Sequence, residues 1–189
     1  DNGFVFDMGP SWYWMPEVFE NYYQQFGHTA SDFYQLDRLS PSYRIYWEDG
    51  SFDDVPAKLS DLIAWFESLE KGSGEKLEKF LEDAAYKYKV GMTDLVYKPG
   101  KSILEFMDWR VLSGLMKMHL LSSFSGYIRK YFSHPKLLKT LEFPVLFLGA
   151  TPEETPALYS LMNYADLQLG TWYPQGGMYK IVEAFEKIA

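Results

Sequence analysis

Three features of this chain predict an α+β fold, a mostly helical domain with a small antiparallel sheet. Apolar residues recur at helical spacing through the middle and the end. One stretch, Tyr43 to Val55, alternates aromatic and polar residues about an Asp49-Gly50 turn. No internal repeat or low-complexity tract interrupts the pattern. At 189 residues the chain reads as a single domain, 1–189, or a large piece of one.

The elements follow in order. Phe4 to Asp7 reads as a strand that enters a turn at Gly9-Pro10. Pro16 to Gln25 reads as a helix, with Pro16 suited to its first turn and Gly27 to its stop. Tyr34 to Leu39 reads as a short strand beside the hairpin of Tyr43 to Glu48 and Ser51 to Val55. Ser60 is placed to cap a helix whose Leu62, Ile63, Phe66 and Leu69 share a face. After Gly72-Ser73-Gly74 a second helix carries Leu77, Phe80, Leu81, Ala84, Ala85 and Tyr88 at helical spacing, and Gly91 and Pro99-Gly100 break the chain. Ile103 to Leu121 is a long apolar helical stretch, and Ser122 to Phe132 continues it. Ser133-His134-Pro135 opens a short helix to Glu142, and the apolar run Phe143 to Leu148 stops at Gly149. Thr155 and Pro156 read as N-cap and first-turn residues of a helix to about Asp166. Leu169 to Tyr173 reads as a strand. Gly176-Gly177 then begins a final helix with Met178, Ile181, Val182, Phe185 and Ile188 facing inward.

Composition narrows the function. Hydrophobic residues make up 47%, too many for a disordered segment. With 35 aromatics among them, some are expected to line a cavity or a partner surface rather than the core. Without cysteine there is no disulfide, no thiolate chemistry and no cysteine-ligated metal, which fits a cytosolic enzyme. His28, His119 and His134 lie far apart with no ligand spacing, so no metal is expected. No apolar run reaches 18 residues, so no bilayer span is expected. The first residues lack the pattern of a signal peptide. Starting in a strand without an initiator methionine suggests a piece of a longer polypeptide. The net charge of −8 conceals a local +6 between Lys98 and Lys139, which reads either as a solvated helical face or as a surface for anionic lipid headgroups. The acidic whole argues against nucleic acid.

Two glycine-terminated aromatic segments stand at opposite ends: Phe6-Asp7-Met8-Gly9-Pro10-Ser11, and Gly170 to Met178 with Trp172-Tyr173-Pro174-Gln175-Gly176-Gly177. Between them lie Tyr43-Arg44-Ile45-Tyr46-Trp47-Glu48-Asp49-Gly50 and Thr155-Pro156-Ala157-Leu158-Tyr159-Ser160-Leu161. In this order the four resemble the phytoene desaturase group of flavoproteins, the carotenoid desaturases and their relatives. The resemblance covers nearly the whole chain. It implies that both end segments border the isoalloxazine of a bound FAD, with Gly9, Pro10, Ser11, Trp172, Tyr173, Pro174, Gly176 and Gly177 at the cofactor. A helix opened by Gly176-Gly177 would present unpaired N–H groups and partial positive charge, which favours reduced flavin. The Gly-x-Gly-x-x-Gly turn that holds the diphosphate in this family does not occur in the chain. The sequence is therefore expected to be the substrate- and membrane-facing part inserted in an FAD-binding oxidoreductase, inactive alone, cytoplasmic and attached to the membrane surface.

The chemistry so implied is desaturation of a polyene. Flavin takes a hydride, and the protein contributes alignment and a dry tunnel. Trp12, Tyr13, Trp14, Phe106, Met107, Trp109, Leu112, Met116, Phe124, Trp172 and Tyr173 would suit a long hydrocarbon, and core packing is the competing reading for each. Trp12, Trp14, Phe106, Trp109 and Met116 are the substrate candidates. The family's acid–base pair falls where this chain has Glu105, Asp108 and Arg110. Glu105 and Asp108 share a helical face, while Arg110 stands off the family's spacing. Two alternatives are a carotenoid isomerase or retinol saturase relative, and a non-catalytic carrier of apolar ligands or membranes.

Overall fold

The computed structural model describes residues 3–96 and 122–189. In chain order the elements are α1 (Pro16–Gln24), β1 (Leu36–Arg38), β2 (Tyr43–Tyr46), β3 (Phe52–Val55), α2 (Leu59–Leu69), α3 (Ser73–Val90), α4 (Phe124–Ile128), α5 (Pro135–Glu142), β4 (Trp172–Pro174) and α6 (Tyr179–Ile188). They belong to two compact units, one of Asp1–Lys58 with Leu169–Ala189 and one of Leu59–Gln168. About half of the described residues are helical and the strands among them are few and short, in line with the expected class. The helix expected over Ile103–Leu121 lies outside the described residues.

In the first unit, Pro16 occupies the first turn of α1, where its missing N–H costs nothing and its fixed φ suits the helix. Gly27, at φ +76°, follows the stop. β2 and β3 form the expected hairpin, with Tyr43 opposite Val55 and Tyr46 opposite Phe52. Directly opposed Arg44 and Asp54 make a forked ion pair, Nε to Oδ1 at 2.7 Å and Nη2 to Oδ2 at 2.9 Å. β1 does not extend this hairpin. It pairs antiparallel with β4 from the far end of the sequence, Leu36 opposite Pro174 and Arg38 opposite Trp172. The other edge of β4 is bridged by Tyr13, whose N–H donates to the Trp172 carbonyl at 2.9 Å and whose carbonyl accepts from Trp172 N at 3.1 Å. The result is two separate two-stranded sheets. Phe4 to Asp7 joins neither sheet, contrary to the strand expected there.

The core of this unit is aromatic. Tyr13, Tyr23, Ala30, Tyr34 and Ala184 are buried together, with Phe19, Phe33, Leu36, Trp172, Met178, Ile181 and Ile188 packed around them. Burying three tyrosines obliges their hydroxyls to find partners. They find each other: Tyr34 Oη lies 3.0 Å from Tyr13 Oη and 2.9 Å from Tyr23 Oη. Burial pushes the ionisation of all three upward. In α6 the deeply buried residue is Ala184, whereas Val182 and Phe185 are exposed. The inward face is thus narrower than the apolar spacing predicts, because a small residue allows close approach to the tyrosines.

The second unit packs α2 along α3. Leu62 and Phe66 are fully buried from α2, as are Leu77, Phe80 and Ala84 from α3. Ser60 lies inside α2 rather than at its cap, since the helix starts at Leu59. Gly91 does not break α3. The helix widens there into a π-type turn, Gly91–Leu95. Ser123 caps α4 by accepting from Gly126 N at 3.1 Å, and α5 runs over the expected span. Pro156 is extended and precedes the next turn instead of starting it. That stretch winds as a 3-10 turn (Ala157–Ser160), a short α segment (Leu161–Asn163) and a π-type turn (Tyr164–Leu169), not as one uniform helix.

α3 also buries a charge. Lys87 is fully enclosed, its Nζ 2.6 Å from Asp83 Oδ2 and 3.0 Å from Ser160 Oγ, and 3.9 Å from the centre of the Tyr127 ring. Desolvation lowers its proton affinity and the Asp83 carboxylate works the other way.

Candidate functional site

The site forms in the first unit, where the two ends of the sequence meet. Tyr13 locks onto β4, so the backbone just before it must run beside Tyr173 and the start of α6. Asp7 makes the junction. Its Oδ2 accepts the Tyr173 hydroxyl at 2.5 Å, and its Oδ1 accepts the Met178 N–H at 3.1 Å. Hydrogen bonding to Asp7, with a smaller contribution from burial, raises the ionisation of Tyr173. Gly177 sits under this contact at φ +97°, and a Cβ there would lie 3.4 Å from Asp7 Oδ1 and 3.6 Å from Tyr173 Oη.

An apolar cleft of about 750 Å³ opens beside the junction. Val5, Phe6, Met8, Pro10, Trp12 and Trp14 line it from the N-terminal segment, Phe19 from α1, and Met178, Ile181 and Val182 from the last helix and its entry. Trp14 is held by its Nε1 donating to Thr171 Oγ1 at 3.0 Å. Trp12 stacks on Tyr43, centroids 5.0 Å apart. Phe4, Val5, Phe6 and Met8 are 71, 96, 71 and 97% exposed, so this face is mostly uncovered hydrocarbon.

Of the predicted site residues Pro10, Trp12 and Trp14 line the cleft, Tyr173 bonds Asp7 and Gly177 stands against that bond, while Gly9, Ser11, Trp172, Pro174 and Gly176 are not on the lining. Ser11 Oγ donates to the Gly9 carbonyl at 3.2 Å. Gly9, at φ +126°, has open space where a side chain would stand. Of the other tunnel-wall candidates, Tyr13 is buried yet lines the cleft, whereas Phe124 is buried in the core of the second unit. Glu105, Phe106, Met107, Asp108, Trp109, Arg110, Leu112 and Met116 lie outside the described residues. The expected start of α6 is corrected: Gly176 and Gly177 form the turn before it, and the Met178 N–H is taken by Asp7 rather than left unpaired. Sequence reasoning gave Asp7 no role of its own. The available signal was its position as the sole charged residue between Gly3 and Met15.

Gly9 and Gly177 both have positive φ, and their neighbours Pro10 and Met178 line the apolar cleft. Among the described residues no group of His, Cys, Asp or Glu could hold a metal ion.

The family model described as flavin containing amine oxidoreductase matches residues 1–189, and the chain belongs to that family. Within it, the chain is 37% identical over 188 residues to a carotenoid 3,4-desaturase of Haloarcula japonica, covering 99% of this chain and 38% of that protein. It is 29% identical to a zeta-carotene-forming phytoene desaturase of Myxococcus xanthus, covering 100% of this chain and 36% of that protein. It is also 31% identical to a 4,4'-diapolycopene oxygenase of Methylomonas sp, covering 100% and 38%. The chain thus spans less than two fifths of the length of these relatives.

Proposed function

We propose that this chain is the substrate- and flavin-edge portion of an FAD-dependent oxidoreductase that desaturates phytoene or a similar carotenoid precursor. The carrying observation is the meeting of the two end segments at Asp7, beside an apolar cleft and between two positive-φ glycine turns. The names of the relatives support the substrate class. Gly9, Pro10, Ser11, Trp172, Tyr173, Pro174, Gly176 and Gly177 would border the flavin, and Trp12 and Trp14 would guide the hydrocarbon. Bound flavin supplies hydride acceptance, which a polyene without a polar handle requires. The chain's own share is alignment and exclusion of water along the cleft. Glu105, Asp108 and Arg110 remain the proposed acid–base residues, with Phe106, Trp109 and Met116 as further substrate contacts. The diphosphate would be held by the remaining FAD-binding part of the same polypeptide.

A lipid surface is the proposed second partner, because such a substrate dissolves only in bilayers. Among the described residues no helix is long and apolar enough to cross a membrane. The Methylomonas relative supports a second reading, oxygen insertion into a similar polyene.

The test is direct. The full-length protein should purify with a flavin absorption band that phytoene in liposomes bleaches without oxygen. A band that polyene leaves untouched would favour an isomerase-like relative. A colourless protein that binds polyene tightly would replace the enzyme with a carrier.

A further inference from the structure

The exposed N-terminal segment poses a physical problem. Its apolar side chains on either side of Asp7 face outward, Phe6 at 71% and Met8 at 97% exposure, so packing does not hold it down. A short peptide with largely exposed side chains needs a specific bond to stay beside α6. Asp7 supplies two. Its partners, Tyr173 and Met178, stand 166 and 171 residues away in sequence. Among the described residues, Asp7 is also the only carboxylate on the cleft lining.

We infer that Asp7 is a positioning residue: through Tyr173 and the Met178 N–H it clasps the Gly9 turn against the Gly177 turn, and so sets the two walls of the cleft. A consequence, which rests on the flavin reading above, concerns charge. The start of a helix carries partial positive charge that would favour an electron-rich ring. A carboxylate placed there offsets it. Asp7 therefore holds the walls in place while making flavin at this edge harder to reduce than the helix alone would.

The full-length protein and its Asp7→Asn, Asp7→Ala and Tyr173→Phe variants test this. Hydrogen exchange over residues 4–11 and at Met178 needs no flavin. Asp7→Ala should speed exchange there about tenfold or more, and Asp7→Asn, which keeps one acceptor, less. In alkaline absorbance titration, one tyrosine that resists ionisation should vanish in Tyr173→Phe and ionise at lower pH in Asp7→Asn. In the flavin-loaded protein, Asp7→Asn should raise the reduction potential. Unchanged exchange in Asp7→Ala, or unchanged tyrosine titration in Asp7→Asn, overturns the clasp. A clasp present in both readouts with an unaltered potential overturns the charge consequence. A wild-type protein without flavin sinks the flavin reading instead, and leaves exchange and titration to decide the clasp. Should Asp7→Ala fail to fold, Asp7→Asn and Tyr173→Phe carry the same comparison.

Discussion

Gly177 shows how much one missing side chain can permit. Its φ of +97° is one that residues with a Cβ rarely adopt, at a cost of about 1–2 kcal/mol. Gly50 in the hairpin turn has a similar φ of +82° with no neighbour within 4 Å of its would-be Cβ. Gly177→Ala and Gly50→Ala should therefore each lower stability in urea by about 1–2 kcal/mol. Neither should alter the alkaline titration of Tyr173, because a methyl at position 177 would stand at ordinary contact distance, 3.4 Å from Asp7 Oδ1 and 3.6 Å from Tyr173 Oη. Tyr34 makes the opposite point. Its hydroxyl is the shared partner of two buried neighbours, so Tyr34→Phe should cost about 2 kcal/mol, more than loss of a solvated hydroxyl, by chemical denaturation.

At the level of elements, α3 is held to its surroundings by charge as well as by apolar packing. Asp83→Asn leaves Lys87 enclosed without its counter-charge and should destabilise by about 3–5 kcal/mol. Lys87→Met should cost much less, since Asp83 is partly exposed and can hydrate. Thermal melts of the two variants give the comparison. α2 ends on a similar device. Glu70 accepts the N–H groups of Ser133 and His134, each at 2.8 Å, which joins the end of α2 to the start of α5. Burial pushes its carboxyl upward, but these two bonds and Lys76 outweigh it and hold the value at about 2. The folded value is depressed, so this contribution is full above about pH 4.5 and fades as pH falls toward 2. Acid unfolding of Glu70→Gln should lose that part of the slope.

Much of this was legible from sequence where the cause is local. The hairpin at Asp49-Gly50, the proline starts of α1 and α5, and the apolar faces of α2 and α3 follow from turn chemistry and spacing. The pairing of β1 with β4 was not, because Leu36–Arg38 carries no mark of a partner 136 residues away. Asp7 escaped for the same reason. Its role depends on Tyr173 and Met178 arriving beside it, and no short-range pattern encodes that. The end glycines could be read because positive φ is a property of a single residue.

For the whole molecule, family membership and the meeting of the two ends point the same way. On the flavin reading proposed above, the chain alone should retain flavin poorly, and a polypeptide that adds a Gly-x-Gly-x-x-Gly diphosphate turn should retain it through dialysis. Absorbance of the two after equal washing checks this. The threading of the first unit has a further consequence during synthesis. Its opening 58 residues leave the ribosome well before β4 and α6 exist, with the whole Leu59–Gln168 segment made in between. Tyr13, Tyr23 and Tyr34 must wait for Trp172 and Ala184 before their core can close. The middle segment can finish folding first, and throughout that interval the nascent front end presents bare aromatic surface that a chaperone would recognise.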